Sequence, residues 1–126
     1  MIKPQPIATD EVKAARKEVL DWEKNNRTAL NRAVLNGRCV WQATKNSPGC
    51  AVGRLCTPAQ QQVLSTLLSG EDPTLYIPDS VKKLGHPFLQ HIQALHDSPE
   101  NWTDKGLSNL GMETWDEINR AFVQPT

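Results

Sequence analysis

The 126-residue sequence predicts a mainly α fold, a compact domain of about six helices with at most one small hairpin. Three observations carry that expectation. Apolar residues recur at helical spacing, as in Val12, Ala15, Val19, Trp22 and again in Phe88, Leu89, Ile92, Leu95. Helix-start signals recur too, with a capping residue followed by proline at Thr57-Pro58 and Ser98-Pro99. Strand-forming residues, by contrast, are confined to one stretch at 38–44.

Residues 1–8 hold two prolines and no periodicity, and are expected to form an extended lead-in to a single globular domain over 9–126. Thr9 or Asp10 can cap a first helix running to about Asn25, with its Lys, Arg and Glu residues on the solvent side. A second helix is expected over 28–36, with Leu30, Ala33 and Val34 inward and Asn36-Gly37 as its stop. Asn46-Ser47-Pro48-Gly49 is turn chemistry, and residues 50–55 read either as the return strand of a hairpin or as a short helix. Thr57-Pro58 opens a helix to Ser69-Gly70 with Val63, Leu64, Leu67 and Leu68 inward. A loop holding Tyr76 follows, then a short helix capped by Asp79 or Ser80 and ending at Gly85. Pro87 starts the helix of the Phe88 stripe, and Thr114-Trp115-Asp116-Glu117 reads as the capping box of a last helix through about Phe122.

Composition narrows the function. Net charge is zero, which argues against a nucleic-acid partner held by bulk electrostatics. Residues 1–56 carry ten Lys/Arg against five Asp/Glu (+5), and residues 57–126 carry four against nine (−5). Such halves either pack on each other within the domain or drive self-association as a homo-oligomer. No apolar run is long enough to span a bilayer, so no membrane partner is expected. The first residues lack the apolar core of a signal peptide, and three cysteines do not make a secreted disulfide framework, so a cytoplasmic setting is expected.

The densest chemistry lies in residues 38–56, with Cys39, Cys50, Cys56, Trp41, Arg38 and Arg54. Zinc is a poor fit, because the cysteines are separated by ten and five residues with no Cys-x-x-Cys knuckle; no metal or other cofactor is expected. Cys50 as a nucleophile with His96 and Asp97 as base and orienter is a minority reading, and no catalytic set is assigned. As a ligand site, Trp41 offers a stacking face and Arg38 and Arg54 offer forked donors for phosphate or carboxylate. A purely structural turn packed under the helices competes with each of these. No Walker or dinucleotide glycine pattern is present. Farther on, His91 and His96 are five apart, too far round a helix to share a metal, and Trp102 is placed to dock the following turn on the core.

Read together, Gly37-Arg38-Cys39-Val40-Trp41, Gly49-Cys50-Ala51-Val52-Gly53, and Ile92-Gln93-Ala94-Leu95-His96-Asp97 before Trp102 resemble a group of small phage and prophage proteins. Those share a Cys-x-aromatic pair, a Cys-Ala-(Ile/Val)-Gly turn and a later Leu-His-Asp before a tryptophan. The resemblance spans residues 37–102. Gln42 stands where the group commonly has Arg, and Arg54 stands where it often has Cys. The resemblance implies a bacterial-host cytoplasm and a non-enzymatic role against host defence. One form is sequestration of a nucleotide-like immune signal in a site built from Arg38, Trp41, Gln42, Cys50, Arg54, His96, Asp97 and Trp102. The alternative is inhibition of a host defence protein by direct contact, in the anti-CRISPR manner.

Overall fold

The computed structural model describes residues 2, 5–31, 51–65 and 77–124, with the backbone alone at 34–35, 38–39 and 64–65. Trp41, Gln42 and Cys50, the 46–49 turn, the helix end at 66–70 and Tyr76 lie outside the described residues, as does the side chain of Arg38.

The fold is mainly helical, as the sequence predicts. Helix α1 (Asp10–Asn26) starts where Thr9 accepts a hydrogen bond from the Val12 N–H. Helix α2 (Pro58–Ser65) is opened by a reciprocal box. The Thr57 hydroxyl accepts from the Gln60 N–H, and the Gln60 side chain accepts from the Thr57 N–H. Short α3 (Asp79–Lys82) is capped by Pro78, not by Asp79 or Ser80, and ends before Gly85, whose φ of 96° suits glycine. Helix α4 (His86–Asp97) buries the whole expected stripe of Phe88, Leu89, Ile92 and Leu95. Helix α5 (Asn109–Phe122) contributes Trp115, Ile118 and Phe122. α4 packs on α5, α1 packs on both, and Phe88 meets Phe122 edge-on at 5.6 Å.

Three expectations are corrected. Of the stretch expected as a second helix, the described residues 28–31 form a turn and 34–35 a strand. Strand β1 (Val34–Leu35) pairs antiparallel with β2 (Arg38–Cys39), Leu35 opposite Arg38. Asn36-Gly37 thus separates two paired strands, the other setting in which Asn-Gly is favoured. Leu30, expected inward, is 73% exposed, and Val63 in α2 is also exposed. The last helix starts five residues earlier than Thr114: Ser108 caps it by accepting from the Gly111 N–H, and the Thr114 hydroxyl donates back to the Leu110 carbonyl within the helix.

Residues 50–55 were open between strand and helix; Gly53–Leu55 is a 3-10 turn. Ser98-Pro99 opens a second 3-10 turn, Pro99–Asn101, which leads into the two-residue pair β3 (Trp102–Thr103) and β4 (Gly106–Leu107). This turn lies so close to α5 that a Cβ on Gly111 would run into the Asn101 carbonyl, which is why a glycine sits inside that helix.

Among the described residues no helix is long and apolar enough to cross a membrane.

Candidate functional site

The buried seam of α1 is not the stripe of apolar residues alone. Arg16, Leu20, Glu23 and Arg27 also recur at helical spacing, and Glu23 and Arg27 are fully buried. Sequence reasoning placed the Arg and Glu residues of this helix on the solvent side, which the structure corrects for Glu23. Arg27 grips Glu23 with a fork, Nε to Oε2 at 3.0 Å and Nη2 to Oε1 at 3.1 Å, and Arg27 Nη1 donates to the Asn31 carbonyl. That geometry satisfies both ions inside the fold.

A second arginine enters the same cluster. Arg54, from the 3-10 turn, lays its guanidinium 3.8 Å from the centre of the Trp22 ring. Its Nε is 4.0 Å from Glu23 Oε1, beyond hydrogen-bond reach. That nitrogen is shut off from solvent and has no hydrogen-bond partner. One carboxylate therefore faces two arginines, and Arg27 already holds both of its oxygens. Burial pushes the Arg54 pKa below its ordinary value, Glu23 pulls it back, Arg27 pushes it down further, and Glu18 pulls it up.

Arg54 borders a cleft of about 310 Å³. One wall is α1, with Ala15, Glu18, Val19 and Trp22. The opposite wall is α3 and its end, with Ser80, Val81, Lys83 and Leu84. Arg54 and Leu55 complete the lining. The cleft thus joins two cations, one carboxylate and one hydroxyl to an apolar floor. Arg16 holds the two walls together, its Nε donating to the Leu84 carbonyl at 2.7 Å.

His96, Asp97 and Trp102 do not line this cleft. His96 and Asp97 end α4, and Trp102 opens β3 just beyond it. His96 is fully buried and its Nδ1–H donates to Asp97 Oδ1 at 2.9 Å. The same oxygen accepts from Gln93 Nε2 at 2.8 Å, and Gln93 Oε1 accepts from the Val52 N–H at 3.0 Å. Trp102 is buried, and its indole N–H joins Asn101 Nδ2 on the Leu95 carbonyl, the docking role its position predicts.

Cys56 is buried, donates to the Val52 carbonyl, and has its thiol pKa raised by burial. Among the described residues no three metal-ligating side chains gather. Among the described residues expected to form one site, Arg54 alone lines the cleft. Sequence reasoning missed Trp22, Glu23, Glu18 and Lys83 as its companions. A signal was present in the Glu23/Arg27 spacing of four, read beside Leu20 on the same helical face.

The chain matches no family model, no curated protein and no solved structure.

Proposed function

We propose that this protein is a non-enzymatic binding module that takes a small anionic, nucleotide-like ligand in the cleft between α1 and α3. The observation that carries the reading is Arg54, a largely buried cation without a hydrogen bond at Nε or a carboxylate of its own, on the border of the cleft. An arriving phosphate or carboxylate adds an acceptor for the guanidinium where it borders the cleft. The cleft volume lies at the low end of the roughly 300–1,000 Å³ typical of ligand pockets. In a protein of the phage type that the sequence resembles, such binding serves to sequester a nucleotide-like signal of host defence.

Calorimetric titration with nucleoside monophosphates, on wild type and on Arg54→Met, tests this. Binding that falls about ten-fold or more in Arg54→Met, with an unchanged or higher melting temperature, supports it. Equal binding by both proteins, or none by either, rejects it.

One observation favours a second reading, thiol chemistry at Cys50. His96 is oriented by Asp97, and the network that holds Asp97 ends on Val52. That reading requires Cys50 to alkylate faster than in the denatured chain.

A further inference from the structure

Resting on that anion-binding reading, we infer that Glu18 selects the ligand, and that the cleft takes a nucleoside monophosphate whose base carries an exocyclic amine. Glu18 is the one carboxylate among the residues described as lining the cleft. It lies one helical turn before Trp22, which carries Arg54 on its ring. An ionised carboxylate only accepts hydrogen bonds. A ligand that is anionic throughout is therefore repelled at Glu18 even as Arg54 attracts it.

The lining favours a bipolar ligand instead. Its anionic group meets Arg54, and an N–H donor meets Glu18. Val19, Leu55, Val81 and Leu84 in the same lining give apolar surface for a flat body, and Lys83 is a second cation there for the anionic group. Trp22 is not the stacking surface on the face that Arg54 covers, so the ring rests on the aliphatic strip. At about 310 Å³ the cleft suits a mononucleotide, and a dinucleotide would overfill it. Glu18 is exposed, so replacing it leaves the fold in place.

The experiment is calorimetry on the full chain with adenosine monophosphate, inosine monophosphate and adenosine, each against wild type and Glu18→Gln. Adenine has the amine, and hypoxanthine has a carbonyl in its place. The expected result is a preference for adenosine monophosphate over inosine monophosphate of about ten-fold or more, from one hydrogen bond to a charged acceptor. In Glu18→Gln the ratio falls toward one, because the amide both donates and accepts. Equal binding of the two monophosphates, or a ratio that Glu18→Gln leaves unchanged, overturns the role of Glu18 and leaves the anion site standing. Adenosine binding as tightly as its monophosphate, or no monophosphate binding at all, overturns both.

Discussion

Two polar clusters sit in this small fold, and they treat their hydrogen bonds differently. At the end of α4, the backbone N–H of Val52, the amide of Gln93, the carboxylate of Asp97 and the ring of His96 form a connected chain, each link between 2.8 and 3.0 Å. Beside it Asn101 and Trp102 both donate to the Leu95 carbonyl. At the end of α1, Glu23 and Arg27 are equally well joined, but Arg54 arrives as a cation too many. The first cluster has the character of an internal brace. In the second, Arg54 shares Glu23 with Arg27, and its buried Nε has no hydrogen bond.

The comparison can be broken most forcefully at Glu23. Glu23→Leu leaves two buried guanidinium groups without a carboxylate and is expected to cost about 3–5 kcal/mol, read by urea denaturation. If the loss is under about 1 kcal/mol, the α1 cluster is not the buried ion pair described here. Next comes Gly111→Ala, which forces α5 away from the Asn101 carbonyl and should cost about 1–3 kcal/mol in the same assay. Trp102→Phe removes one of two donors to the Leu95 carbonyl, so a smaller loss of about 1 kcal/mol is expected. Arg54→Met is expected to lie at the other end, neutral or stabilising in thermal unfolding. It removes the cation that Arg27 repels while leaving the Glu23–Arg27 fork intact.

The smallest effect concerns pH. Burial raises the Cys56 pKa, so the folded thiol stays protonated where the unfolded one begins to ionise, around 8.5. Stability from this group is complete below that pH and declines as pH rises above it. Peptide-resolved alkylation should show Cys56 reacting far more slowly than in urea. The same experiment reads Cys50: rapid labelling there would show that the α4 cluster does more than brace.

How much of this was legible in sequence depended on whether each residue had one physical meaning or two. The α4 stripe had one: Phe88, Leu89, Ile92 and Leu95 are apolar, regularly spaced and uninterrupted, and all are buried. Thr57-Pro58 likewise meant only a helix start. Asn36-Gly37 had two meanings, helix stop or hairpin connection, and the pairing of Val34 with Cys39, only five residues apart, selects the second. Gly111 fell before the helix expected from Thr114, and its reason for being glycine lies on another element, at Asn101.

The site was harder for the same reason. Arg54 stood out locally beside the Cys-Ala-Val-Gly turn. Its partners come from residue 18 at one extreme and residue 83 at the other, and no spacing rule links them. Glu23 was read as solvated because charged residues usually are, and the fork from Arg27 makes its burial tolerable.

Arg16 bears on how the chain is made. Its guanidinium donates to the carbonyl of Leu84 and to that of Phe122, acceptors 68 and 106 residues downstream. Both carbonyls belong to segments synthesised long after α1. Neither acceptor exists when α1 is synthesised, and a nascent chain that stops short of Phe122 lacks one of the two that hold Arg16 in the finished fold.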